Sequence, residues 1–520
     1  MEEKMVEITR DNFEEKRAEI VNNIKNAVFV AIDNEFSGLL SDSELKPSIE
    51  NFVVMEIGIT TFQFVQEENK YLSNKYTFYI FPRSFSSIDS RFMCQASSLE
   101  FLCQNNFDFN KFVYRGVSYL NRREELQLRK ELYEDLLFRH LERTVTYDDE
   151  KLVQSGCSSV AEWAASSVLG DEMSLDVATW CNGEKRLEYI LHKELRQRFP
   201  NIWTFPAKGQ RKSYEADRDK DTSLEDDVMD FLLGFSNIFK LLVELRKPIV
   251  GHNLLLDLMI MYNQFQEPLP TKFSVFKEKI HNMFPQIYDT KFLSFELKKF
   301  LKKEDFWESN ILCDLYYYFK NGRGRFIVLF SPKIVLAEAT DELQESGHIE
   351  ADSKSLDAVE QFHEAGWDSY CTGYCFIKMA HIFAHITLGR FIDGRLLSSK
   401  ELMAAVTSRK NRLNLIRASL PFVCLDGPDP TSSRPNWLHV EMRRFQPINI
   451  RKVAEMLASC GAVDVKPFGR YSALVAGRCP HFWRCLRVHD LQSYEQSEDA
   501  PDFQIGMAAI GSLLLFIVIA

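Results

Sequence analysis

Apolar positions along this 520-residue chain alternate between a helical and a strand period. Residues 11–26 carry them at helical spacing, which predicts an amphipathic helix. Residues 27–32 follow as an unbroken apolar run. They read as a strand, and residues 53–64 and 76–81 alternate well enough to pair with it. A charged helix is predicted over 124–143 and further helices over 186–199, 231–244 and 254–265, with a short strand at 249–251. The polar stretch 208–227 and the acidic stretch 338–355 read as mobile loops. Residues 357–366 lead a helix bearing His363 and Asp368. Strands and helices that alternate after an antiparallel opening predict an α/β core, a mixed sheet flanked by helices.

The C-terminal fifth has a different pattern. Residues 438–442, 448–459 and 470–477 read as strand, helix and strand of a small module. A polar, acidic stretch follows, and from Phe503 to Ala520 no residue is charged. At about 1.5 Å per residue that segment reaches about 27 Å, a little short of the roughly 30 Å hydrocarbon core and better matched to a thin organelle membrane. It is expected to be a transmembrane tail anchor that leaves the rest of the chain in the cytosol, on the endoplasmic reticulum or the mitochondrial outer membrane. Gly506 and Gly511 are not spaced as a GxxxG packing motif. The expected division is a nuclease domain in two parts, 1–143 and 231–415, interrupted by a small inserted domain at 144–230. A C-terminal module at 416–490, a polar linker at 491–502 and the anchor at 503–520 complete it.

Composition narrows the function. Lys and Arg number 63 against 74 Asp and Glu, a net charge of −11. Such a chain does not coat nucleic acid non-specifically, although Arg122, Arg123, Lys298, Lys299, Lys302, Lys303, Arg443 and Arg444 could supply local basic contacts. The 11 cysteines are odd in number and dispersed, and no signal peptide precedes them, as expected of a reducing compartment. Cys479, His481 and Cys485 match no common zinc spacing.

The candidate chemistry lies in three separate segments. Asp33 and Glu35 end the first strand with one residue between them, so they project to one face. Asp257 closes Gly-His-Asn-Leu-Leu-Leu-Asp, and His363 precedes Asp368 by five residues. Each motif alone also suits ordinary turns, caps and surface acids. Four acids and a histidine in this order suit phosphodiester hydrolysis, in which two divalent ions about 3.5–4 Å apart activate a water and stabilise the leaving oxygen. Mg²⁺ needs only a few carboxylates because it keeps several waters, and Mn²⁺ is an alternative. Asp33, Glu35, Asp257 and Asp368 are the expected metal ligands, and His363 the expected general base.

These motifs resemble the DEDD exonuclease superfamily, in the branch whose histidine lies five residues before the last acid. Phe92-Met-Cys-Gln-Ala-Ser-Ser-Leu-Glu-Phe101, Phe107-Asp-Phe-Asn-Lys111 and His363-Glu-Ala-Gly-Trp-Asp-Ser-Tyr-Cys-Thr-Gly373 are similar to segments of the poly(A)-specific ribonuclease family. The resemblance implies a ribonuclease-H-like nuclease core that removes nucleoside 5′-monophosphates from single-stranded RNA with a free 3′-hydroxyl. It also implies an RRM-like module at 416–490, here with only His439 and Tyr471 as ring candidates for base stacking. The apolar tail points to the membrane-anchored branch that trims precursor piRNAs. That branch implies an RNA-delivering partner of PIWI or Tudor type, and the wider family forms homodimers. Deadenylation of mRNA is the alternative within the class. A membrane-tethered RNA-binding scaffold with little catalysis is the alternative outside it.

Overall fold

The computed structural model describes residues 6–39, 49–175 (apart from 135, 143, 144 and 169), 185–202, 204, 222–337 (apart from 303–306 and 327–329), 362–389, 395–415, 420–431, 438–442, 447–457, 463–477 and 503–506. They fall into two compact units, Met1–Leu39 with Ile49–Leu269 and Asn282–Lys410, and Leu40–Ser48 with Pro270–His281 and Asn411–Ala520.

The first unit is built on a mixed seven-stranded sheet. Its path runs β1 (Val6–Ile8), β4 (Lys70–Tyr79), β3 (Val54–Val65), β2 (Phe29–Phe36), β5 (Ile249–Gly251) and β6 (Ile287–Asp289), and β7 (Lys333–Leu336) also pairs with β4. β2, β3 and β4 form the expected antiparallel meander, and β5 and β6 add in parallel. β2 sits mid-sheet with its first four residues buried, which is why its start is an unbroken apolar run rather than an alternation.

Helices cover both faces. The Ala365–Leu388 helix lies on the face displaying Phe29, Thr60 and Phe62, through ring contacts of Phe29 with Phe376 and Phe62 with Tyr370 and a 2.7 Å hydrogen bond between the Thr60 and Ser369 hydroxyls. Phe13–Asn26, Phe235–Leu245 and Leu255–Phe265 lie on the other, where Tyr76 meets Asn23, Phe78 meets Phe235 and Asn34 meets Met261. The segment between β4 and β5 adds helices Arg122–Tyr133, Leu136–Glu142, Tyr147–Ser166, Lys185–Arg198 and Thr222–Leu233 around a core that includes Leu128, Leu141, Val160, Tyr189 and Leu232. Four of the five Lys and Arg residues of Lys185–Arg198 are engaged by acids of the same bundle, Lys185 with Glu188 and Asp227, Arg186 with Asp149, Lys193 with Glu225 and Arg198 with Glu194, and Arg196 donates to Thr204.

Several element limits differ from the sequence expectation. The helix over 124–143 is two helices. The loop over 208–227 is helical from Thr222 onward. The helix over 231–244 is broken at Gly234, which adopts φ +38° and where a Cβ would fall 2.2 Å from the Ser118 carbonyl oxygen, so that glycine alone suits the position. The helix expected to carry His363 begins only at Ala365. The acidic loop 338–355 lies outside the described residues.

The second unit holds the two-stranded β8 (Arg412–Asn414) and β9 (Phe422–Cys424), and a four-stranded antiparallel sheet ordered β11 (Val463–Pro467), β12 (Ser472–Gly477), β10 (Leu438–Met442), β13 (Phe503–Gly506). The Ile450–Leu457 helix connects β10 to β11. β13 corrects one expectation: residues 503–506 are extended and paired with β10, where a membrane helix was expected to begin. Residues 507–520 lie outside the described residues, as do Cys479, His481 and Cys485. No helix among the described residues is long and apolar enough to cross a membrane.

Candidate active site

Strand geometry brings the first two acids together. Asp33 and Glu35 share a face of β2, and their antiparallel neighbours on β3 are Gly58 and Glu56. The register shifts just after Glu35, so that Met55 is bulged out between Glu56 and Val54. The N-terminus of Ala365–Leu388 approaches this corner and delivers Asp368 on its first turn. Carboxylate oxygens of Asp33, Glu35 and Asp368 gather within 4.8 Å of one another.

The approach depends on β3. A Cβ on Gly58 would stand 1.8 Å from the Ala365 carbonyl oxygen, so only glycine admits the helix at this depth. The first four helical N–H groups have no partner within a helix. Here Ala365 N–H donates to Glu56 Oε1 at 2.9 Å, and Gly366 and Trp367 N–H donate to the Glu364 carboxylate at 3.1 and 3.0 Å. Asp368 N–H donates to the Glu364 carbonyl at 2.9 Å, and Thr77 Oγ1 also donates to the Glu364 carboxylate.

His363 stands just before this helix in the left-handed region, with φ +69°. That conformation folds its N–H back onto Asp368 Oδ2 at 3.1 Å, and its ring meets the edge of Phe101 with centroids 4.8 Å apart. Burial lowers its pKa, which keeps an imidazole nitrogen free to accept a proton.

Asp257 comes from the other side. It lies on the first turn of Leu255–Phe265, and its Oδ1 accepts a 2.9 Å hydrogen bond from Asn34 Nδ2. It is outside the 4.8 Å cluster, yet its charge raises the pKa values of both Asp33 and Glu35. The turn before it is fixed by buried Asp289, which accepts from the N–H groups of Asn253 and Leu254 at 3.0 and 3.4 Å and caps Thr290–Lys298 as well.

These acids repel one another in a poorly solvated corner. Burial, then the charges of Asp368 and Asp257, raises Asp33 well above the usual carboxylate range; burial, then Glu56 and Asp368, does the same to Glu35. Burial pushes Asp368 up to about 8 and Asp257 up to about 7. Asp368 Oδ1 is buried without a hydrogen-bond partner. A carboxylate cluster that includes a buried, unpartnered carboxylate oxygen fits a hard divalent cation, which supplies the charge that the protein withholds.

The profile described as CAF1 family ribonuclease matches residues 8–376, a span that includes all five candidate residues. The chain belongs to the CAF1 ribonuclease family. It is 35% identical to the Bombyx mori pre-piRNA 3′-exonuclease trimmer over 91% of this chain and 88% of that one. It is 27% identical to Mus musculus poly(A)-specific ribonuclease PNLDC1, covering 90% and 89%, and 30% identical to Xenopus laevis poly(A)-specific ribonuclease PARN, covering 84% and 71%. A 3′→5′ exoribonuclease on a ribonuclease-H-like core, as the motifs predict, agrees with this membership.

Sequence reasoning missed Gly58, Glu56, Glu364, Asn34 and Asp289, which touch the candidate residues or their turns. Glu364 had no usable signal, because glutamate is not among the residues preferred at a helix N-cap. Gly58 and Glu56 had none, because their importance arises from pairing with residues more than twenty positions away.

Proposed function

We propose that this chain is a metal-dependent exoribonuclease that trims 3′ ends of single-stranded RNA, with piRNA precursors as substrate. The gathering of Asp33, Glu35 and Asp368 around an unpartnered Asp368 oxygen carries the chemical part. Similarity to the Bombyx mori trimmer over most of both chains supports the substrate. Asp33, Glu35, Asp257 and Asp368 would hold two Mg²⁺ ions, or Mn²⁺. Bound there, the ions would supply Lewis-acid polarisation of the scissile phosphate and a lowered pKa for the attacking water. His363 accepts the proton of that water, and Asp368 orients its backbone through the His363 N–H. Nucleoside 5′-monophosphates leave.

The strand order β11–β12–β10–β13, with a helix between β10 and β11, supports an RRM-like module. His439 is the one ring residue on β10 and β12, so base stacking there is weak. The four self-neutralised basic residues of Lys185–Arg198 support a structural role for the inserted helices. The uncharged residues 503–520 support a tail anchor on the endoplasmic reticulum or outer mitochondrial membrane, the body facing the cytosol, with RNA delivered by a PIWI- or Tudor-type partner. The homodimer implied by the family resemblance belongs to the same set.

The test compares 3′-hydroxyl RNAs of mixed sequence, 3′-adenosine RNAs and RNAs ending in 2′-O-methyl, with Mg²⁺ or EDTA. Mg²⁺-dependent trimming of mixed sequence that stops at the 2′-O-methyl end supports the reading. Removal of adenosines alone would make the chain a deadenylase, and metal-independent trimming would overturn the mechanism.

A further inference from the structure

Glu56 is a carboxylate 2% exposed, on β3 and directly opposite Glu35. Burying a second acid beside a metal-binding acid is unfavourable: burial, then the charge of Glu364, pushes Glu56 up to about 8, and Glu56 is among the groups that raise Asp33 and Glu35. A fold tolerates such a group where it makes a contact that a smaller or apolar residue does not. Its Oε1 accepts the N–H of Ala365, the first residue of the helix that brings Asp368 to the site. Tyr79, its cross-strand neighbour on β4, also hydrogen-bonds to its side chain. Two strands thus hold the Glu56 carboxylate, and the carboxylate holds the helix start.

Asp368 is placed by the start of its helix, which the Thr77–Glu364 and Thr60–Ser369 hydrogen bonds also hold. Asp33 and Glu35 belong to β2, and Asp368 to an element whose chain origin is remote from it. Two contacts tie that element's first residue to β3: the close approach of the Ala365 carbonyl over Gly58, and the hydrogen bond of the Ala365 N–H to Glu56. The first limits how far away the helix can sit without leaving a void. The second fixes its position along β3. Asp368 follows Ala365 by three residues in regular helix, so a shift at Ala365 is transmitted to Asp368 and, through its Oδ2, to the His363 N–H.

We propose that Glu56 is a positioning residue of the nucleolytic centre: by accepting the Ala365 N–H it sets the register of the Ala365–Leu388 helix on β3, and so the spacing of Asp368 and His363 from Asp33 and Glu35. The inference rests on reading Asp33, Glu35 and Asp368 as the catalytic acids. What Glu56 supplies is an acceptor atom at a defined place. Its charge is not needed, and a glutamine there keeps the Oε1 acceptor while its amide can donate to the Tyr79 hydroxyl.

The test uses the full chain as Glu56→Gln, Glu56→Met and Asp33→Ala, with Mg²⁺ titrations, steady-state kinetics on 3′-hydroxyl RNA, calorimetric Mn²⁺ binding and thermal melting. Methionine fills a similar volume without the acceptor. Glu56→Met is expected to lose about ten- to a hundredfold in kcat, the range found when groups that orient metal ligands are removed. Its half-saturating Mg²⁺ and its Mn²⁺ dissociation constant rise, while KM for RNA stays within about twofold. Glu56→Gln is expected to match the wild type in all of these. A Glu56→Met enzyme with wild-type kcat and metal affinity overturns the proposal. So does a Glu56→Gln enzyme with a comparable loss, whether or not Glu56→Met folds. Wild-type activity in Asp33→Ala would instead overturn the reading of the catalytic acids.

Discussion

Gly58 is the cross-strand partner of Asp33, and the space a side chain would fill there is taken by the Ala365 carbonyl, 1.8 Å from where its Cβ would be. One glycine thus joins the strand acids to the helix acid. A methyl group must push backbone rather than a flexible side chain. Gly58→Ala is expected to cost about 1–3 kcal/mol of stability, as overpacked cores do. Moving Asp368 by even about 1 Å is expected to lower kcat about a hundredfold. Melting and single-turnover trimming of the same preparation check both. A variant with lower stability and unchanged kcat would show that the helix position is not limiting.

Neutralising one acid is expected to separate stability from activity. Asp33, Glu35 and Asp368 sit in mutual repulsion that burial amplifies. Asp33→Asn or Glu35→Gln removes part of it, so in EDTA each variant is expected to melt above the wild type. Each is also expected to lose at least about a hundredfold in kcat, the scale of removing one preorganised charge-stabilising group. Mg²⁺ raises the wild-type melting temperature by binding the folded state alone, and is expected to raise that of the variants less. Variants that melt below the wild type in EDTA would contradict the electrostatic account.

The candidate chemistry was legible in the sequence where it is local. Asp33 and Glu35 needed only a strand period of two, and Asp257 needed only a helix start after a Gly-His-Asn turn. The helix start before Asp368 was misjudged by several residues, because His363 has a positive φ and no neighbouring residue announces it. The residues that assemble the corner were hidden. Glu56 and Gly58 look like interruptions of an apolar strand, and only the β2–β3 register and the incoming helix give them a purpose. Asp289 belongs to none of the motifs and is a buried cap for two elements at once.

His363→Ala tests the base separately from the metal ligands. His363 contributes an N–H to Asp368 and an exposed ring beside Phe101, and only the ring is lost on substitution. Loss of a positioned general base is expected to lower kcat about 10²–10⁴-fold. Metal affinity is expected to stay near wild type, because the backbone donor remains. His363→Gly is expected to be as inactive and to fold at least as well, since glycine accepts φ +69° without strain. Equal loss of Mn²⁺ binding and kcat would make His363 a ligand rather than a base.

Two histidines remote from this corner set an acid limit. Burial, then Arg196, lowers His192 from 6.5 to about 4; burial, then Lys378, lowers His381 to about 4 as well. Both are therefore neutral in the folded chain, and the unfolded chain binds protons first as pH falls. Their contribution is fully present above about pH 6.5 and is lost as pH falls toward 4, up to about 3 kcal/mol each. Denaturation between pH 7 and 4.5 is expected to show this decline, and His192→Gln with His381→Gln to flatten it. The raised active-site carboxylates act in the opposite sense, gaining protons in the folded state, so the comparison is made with Mg²⁺ present. An unchanged slope in the double variant would assign the acid limit to other groups.

The pairing of β13 with β10 decides how the tail should be removed. Leu438–Met442 is flanked by β12 on one side and Phe503–Gly506 on the other. A truncation at residue 502 strips one side of that strand, leaving its backbone N–H and C=O groups open to pairing with another chain. A truncation after Gly506 keeps the sheet and removes only the uncharged residues 507–520. The two forms are thus expected to differ. The 1–506 protein should leave the membrane fraction and remain monodisperse, with trimming activity retained. The 1–502 protein should melt lower and aggregate with time. Fractionation, light scattering and melting of the two forms check this. Membrane retention of the 1–506 form would remove the case for an anchor in 507–520. Equal behaviour of the two soluble forms would show that β13 contributes nothing to the sheet's stability.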